Sequence, residues 1–157
     1  MVEDVTGDFR SLLSPKIAAA IQALEILRTH FERATISAAI GEISEALVKD
    51  YTGSQFSKRG ARGHDLVDAK GIRTEVKGRL IADYGSSLQF NFRTHTRSAH
   101  RAYSLAWSDA PSLTIAHVFR VSVPELCERW GRADSRYCAR TTLGKLMAAS
   151  KEVPPSG

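Results

Sequence analysis

The chain has 157 residues, 43% hydrophobic and 25% charged, which is the balance of one folded globular domain and leaves no room for a second core. Its two cysteines, Cys127 and Cys138, have no partners at metal-ligand spacing, which argues against a disulfide framework and a zinc site and suits a reducing cytoplasm. The start MVEDVTGDFR does not read as a signal peptide, and no apolar run approaches the roughly 20 residues a membrane helix needs. A formal net charge of +5 favours a polyanionic partner, with nucleic acid first.

In chain order, residues 14–33 read as a helix, with Ser14 as N-cap, Pro15 in the first turn and an apolar stripe from Ile17 to Phe31. Residues 35–51 read as another, with Ile36, Ala39, Ile40, Ile43, Ala46 and Leu47 as its buried face and Gly53 as its stop. The two are either separate or one rod kinked near Ala34. Residues 53–63, GSQFSKRGARG, read as a basic loop. HDLVDA is strand-like, and Ala69-Lys70-Gly71 makes a tight turn.

From Ile72 the chain alternates. Ile72, Thr74, Val76 and Leu80 point one way, with Gly78 between, and Arg73, Glu75, Lys77 and Arg79 point the other. A strand over Ser87–Phe92 follows, then the basic connection RTHTRSAHR. Two more strands, AYSLAWS and LTIAHVFRVS, join through Asp109-Ala110-Pro111. Ser122 caps the short helix VPELCERW with Glu125 at capping-box distance, and Thr141 or Thr142 caps a last helix, TLGKLMAAS. Residues 1–150 form the domain and the tail 151–157 is expected to be disordered. This order predicts an α+β (α/β) domain with a mixed sheet flanked by helices.

The stretch HDLVDAKGIRTEVKGR carries the chemistry. A turn centred on Lys70 sets Asp65 opposite Glu75, with Cβ atoms about 4.5–5.5 Å apart. Lys77 lies on the same face, roughly 7 Å along the strand. A bulge at Gly71 would slip this register by one. Two opposed carboxylates destabilise a sheet unless a cation joins them. Mg²⁺ (or Mn²⁺) takes a few carboxylate oxygens and keeps waters for a substrate phosphate. Asp65, Glu75 and the Val76 carbonyl are the expected protein ligands, and Lys77 the group that activates the attacking water. The competing reading is a solvated hairpin. Asp68 falls on the other parity and drops out as a ligand.

Asp65, nine intervening residues and Glu75-Val76-Lys77 resemble the PD-(D/E)XK nuclease superfamily, whose fold is restriction-endonuclease-like. His64 stands in the place of that family's proline. The stretch GEISEAL resembles its helix motif, which implies Glu42 as a further metal-site residue, with Glu45 one turn away as the alternative. The resemblance covers about residues 36–130. It implies a divalent-metal-dependent endonuclease acting on DNA, with RNA left open, nicking as a monomer or cutting both strands as a homodimer. Lys58, Arg59, Arg62, Arg79, Arg93, Arg97 and Arg101 are the expected nucleic-acid contacts. The alternative is a non-catalytic nucleic-acid-binding or regulatory module on the same fold.

Overall fold

The computed structural model describes residues 1–58, 64–91, 99–132 and 135–152. Its elements in chain order are β1 (Glu3–Asp4), α1 (Thr6–Ser11), α2 (Pro15–Leu27), α3 (Arg33–Thr52), β2 (Gln55–Phe56) and β3 (Leu66–Val67). Then come β4 (Arg73–Leu80), β5 (Ser87–Asn91), β6 (Arg101–Ser108), β7 (Thr114–Ser122), α4 (Val123–Trp130), β8 (Gly131–Arg132), β9 (Ser135–Thr142) and α5 (Leu143–Ser150). The architecture is mixed α/β. No helix among these residues is long and apolar enough to cross a membrane.

Local chemistry sets the helix ends. Ser14 Oγ accepts the Ile17 N–H at 3.4 Å and Pro15 occupies the first turn, so α2 begins where the sequence says it should. It ends at Leu27 rather than Arg33. Arg28 leaves the helix to bond the carbonyls of Asp109 and Pro111, tying this end to the β6–β7 turn. A separate helix, α3, then starts from Glu32 and stops at Gly53, whose φ of 65° needs no Cβ. Ser122 and Thr142 cap α4 and α5 through the Glu125 and Lys145 N–H groups. The Glu125 carboxylate does not close a capping box. It bonds Arg129 at 3.0 Å and the amino group of Met1.

The main sheet has six strands in the order β1-β7-β6-β4-β3-β2. Only β4 and β6 run parallel, and the other pairs are antiparallel. The strand β6 is central and buried on both faces, as its nearly unbroken apolar run requires. Its large residues Tyr103, Leu105 and Trp107 join a core under α1–α3. Its small residues Ala102 and Ala106 join a second core built with β5, β9, α4 and α5. Small residues on that face let the second layer approach closely.

Three expectations change. The strand β5 does not extend the main sheet, but pairs with β9 in a three-stranded sheet ordered β5-β9-β8. The short elements β1, α1, β2 and β8 and the longer strand β9 were not anticipated. Two of the short ones complete the sheet's edges: β1 pairs with β7, and β2, inside the expected loop, pairs with β3. The tail is ordered at its start, because Lys151 N–H bonds the Ala148 carbonyl and the Glu152 carboxylate meets Arg129 at 2.8 Å. Residues 153–157 lie outside the described residues.

Candidate metal-binding active site

The hairpin register is the foundation of the site. Leu66 pairs with Thr74 and Val67 with Arg73; the next backbone bond steps one residue off that register, and Asp65 lies close enough to Glu75 for its charge to act on it. The Asp65 N–H bonds the Thr74 carbonyl at 2.9 Å. Gly71 takes a φ of 76°, and the Leu66–Thr74 and Val67–Arg73 pairs beside the turn keep one register. Asp68 explains this. Its Oδ1 accepts the N–H groups of Lys70 and Ile72, both at 2.9 Å, and its Oδ2 receives Arg101 at 3.4 Å. A side chain that closes the turn from within fixes its length. The Ile72 N–H above all, with Lys70 and Arg101 behind it, holds the Asp68 carboxyl below the usual carboxylate range.

The backbone ladder ends at Asp65 and its side chain takes over. Asp65 Oδ2 accepts the Val76 N–H at 2.7 Å, which leaves Oδ1 for another partner. An extended residue presents its N–H and C=O to the same strand edge, so the Val76 carbonyl faces the edge that Asp65 occupies. The Val76 side chain is buried, 4% exposed, in the core under α3.

Beside it, Glu75 is only 4% exposed, although it lies on the charged parity of β4. The charged face is therefore not a uniformly solvated one: Lys77 is partly exposed and only Arg79 is fully so. Lys77 Nζ meets Glu75 Oε1 at 2.9 Å. Burial raises the Glu75 pKa, Asp65 raises it further, and Lys77 offsets part of the effect. Burial likewise raises Asp65, against the Val76 N–H and the charges of Lys77 and His64, with Glu42 adding to the rise.

The helix α3 brings the remaining carboxylates. Glu42 is exposed, and its charge reaches both Asp65 and Glu45. Glu45 is partly buried and carries the largest resolved change, its pKa pushed up to about 7 by burial and then by Asp65, Glu42 and Glu75. The helix thus offers Glu45, the alternative carboxylate, more deeply than Glu42. Its neighbour Ser44 is fully buried, which sets that turn of α3 against the sheet.

Of the expected nucleic-acid contacts, Lys58 and Arg79 are exposed. Arg101 is engaged with Thr74 Oγ1 at 2.9 Å and with Asp68, and so braces the hairpin turn. Arg59, Arg62, Arg93 and Arg97 lie outside the described residues. Trp107 is a core residue, and Cys127 and Trp130 pack against the second core.

Among the described residues, no three His, Cys, Asp or Glu side chains already stand together as a cation-holding group. The donor chemistry nonetheless fits a hard divalent cation. All the side-chain donors are oxygens, four carboxylates influence one another, one ammonium opposes them, and burial raises Asp65, Glu75 and Glu45. Asp65, Glu75 and the Val76 carbonyl are the groups that would hold it, with Glu45 or Glu42 assisting. Comparison with protein-family models and with curated proteins found no match for this chain.

Proposed function

We propose that the chain is a divalent-metal-dependent nuclease of the PD-(D/E)XK type that hydrolyses DNA phosphodiester bonds. The carrying observation is that Asp65, hydrogen-bonded to the Val76 N–H, and Glu75, bonded to Lys77 Nζ at 2.9 Å, lie close enough for Asp65 to act on Glu75, in a setting that raises both carboxyls. A surface hairpin gains nothing from burying such a pair. A bound Mg²⁺ would polarise the phosphoryl group and lower the pKa of a water beside it.

The protein's own groups supply the rest. Asp65 and Glu75 fix the scissile phosphate's place at the end of the β3–β4 ladder. Glu75 holds Lys77 Nζ at that place. From there Lys77 orients the attacking water and donates an N–H to the phosphate oxygen on which charge develops. Arg79, two residues along the same parity and exposed, takes a neighbouring phosphate, while Lys58 approaches from the loop before β3.

Incubation with supercoiled plasmid and Mg²⁺ or Mn²⁺ tests this directly. Metal-dependent nicking that disappears in Glu75→Ala and in Lys77→Ala is the expected result. Salt-sensitive binding without nicking at any metal concentration would replace this reading with the non-catalytic binding module.

A further inference from the structure

Gly78 interrupts the alternation of β4, and α3 is the reason. A Cβ at Gly78 would lie 2.1 Å from Ser44 Oγ, 2.6 Å from Ser44 Cβ and 3.0 Å from the Ile40 carbonyl oxygen. None of these atoms can swing aside as the end of a long side chain could. Ser44 is fully buried, and its hydroxyl is committed twice. It donates to the Ile40 carbonyl at 2.7 Å and accepts from Trp107 Nε1 at 3.0 Å. Trp107 is itself fully buried and pairs with Leu80 across the parallel ladder. Helix, strand and neighbouring strand therefore meet in one contact, made of a missing side chain, a hydroxyl and an indole.

Its location matters more than its tightness. Ser44 directly precedes Glu45, and Gly78 directly follows Lys77. Apolar packing alone would tolerate a methyl group at position 78 by moving the helix outward. It would not require a buried indole N–H to meet a buried hydroxyl, which fixes rotation as well as distance. The height and the turn of α3 over β4 are thus both set one residue from each side of the charged cluster.

We infer that Ser44, Gly78 and Trp107 form a positioning lock that sets where α3 carries the Glu45 carboxylate relative to Asp65, Glu75 and Lys77. These three residues touch neither substrate nor metal. They act through Glu45 and Lys77, and the inference rests on the proposed metal site for what that placement accomplishes. It separates two properties usually confounded in a core contact, the stability of the fold and the affinity of the site.

The test is Mn²⁺ affinity by titration calorimetry together with the thermal midpoint, on the full chain and on Ser44→Ala, Gly78→Ala, the double variant Ser44→Gly/Gly78→Ala, and Glu75→Ala. Ser44→Ala keeps the Cβ and removes the hydroxyl, and is expected to weaken Mn²⁺ binding about 10-fold, the lower end for loss of a supporting partner. Gly78→Ala is expected to weaken it further. The double variant removes the contacts at 2.1 and 2.6 Å and leaves only the one at 3.0 Å, so it regains affinity over Gly78→Ala. If Gly78→Ala does not fold, Ser44→Ala and the double variant decide. Folded variants that lose thermal stability but bind Mn²⁺ like the unaltered chain, while Glu75→Ala does not, overturn the lock and leave the metal site standing. Mn²⁺ affinity unchanged in Glu75→Ala fails the metal site instead.

Discussion

The β3–β4 hairpin carries two aspartates three residues apart, and its two ends treat them in opposite ways. At the closed end, Asp68 receives two backbone N–H groups and an arginine, and its carboxyl is held below the usual range. At the open end, the Asp65 carboxylate receives one N–H, acts on the charge of Glu75, and is raised by burial. One carboxylate has all the compensation it needs from the chain. The other shares a single ammonium, Lys77, with its neighbours Glu75 and Glu45. A charge satisfied from within builds structure, whereas an excess of buried negative charge calls for a partner from outside.

The largest effect that would break this contrast is on cleavage. Glu75→Ala should lower the rate more than about 10²-fold, because a metal centre contributes several kcal/mol of transition-state stabilisation. Lys77→Ala should cost about 10²–10⁴-fold as the loss of a water-activating group. Asp68→Asn should lower the thermal midpoint and leave cleavage of the folded protein intact. Cleavage lost equally in Asp68→Asn would erase the distinction between the two ends.

A smaller effect sharpens it on the helix side. Glu45→Gln should reduce metal-dependent nicking more than Glu42→Gln, because Glu45 is the more buried and burial raises its carboxyl. Parallel nicking assays rank the two, and the reverse order would restore Glu42 as the assisting carboxylate.

The pH dependence has a definite sign. Glu45 rises from an ordinary 4.5 to about 7 on folding, so its contribution to stability is complete below 4.5 and is lost as pH rises through about 7. Thermal melts of the metal-free protein should therefore lose stability over that window relative to Glu45→Gln, and added Mg²⁺ should restore most at its upper end. A difference between the two proteins that is flat with pH would mean Glu45 titrates as an ordinary exposed glutamate.

The smallest effect is at Arg79. Arg79→Ala should weaken DNA binding at every sequence alike and reduce the slope of log affinity against log salt by about 0.7–0.9, one phosphate contact. An unchanged slope would remove Arg79 from the interface.

Much of the site was legible because it obeys local arithmetic. Nine residues lie between Asp65 and Glu75, and a turn near Lys70 brings the two back close to each other whatever the rest of the fold does. The Ser14 and Ser122 caps were legible for the same reason. What escaped depends on contacts far away in sequence. The partner of β5 is β9, some 50 residues on, and nothing in the SLQFN stretch names it. Short elements such as β1 and β2 exist only because an edge of the sheet accepts them. Glu42 was placed ahead of Glu45 on the motif resemblance of GEISEAL alone, and nothing in that stretch marks Ser44 as buried. A serine is not expected to be fully buried, and here a tryptophan N–H satisfies it. Gly78 was the available hint, since glycine inside a strand marks close backbone approach.

The most direct test is a crystal structure of the protein soaked in Mn²⁺, read through the metal's anomalous scattering. The account predicts one strong peak bonded to oxygens of both Asp65 and Glu75, near the Val76 carbonyl, with Lys77 Nζ drawn off Glu75 Oε1. A map with no peak there, in which the Lys77–Glu75 pair stays closed while Mn²⁺ binds elsewhere or not at all, would contradict it.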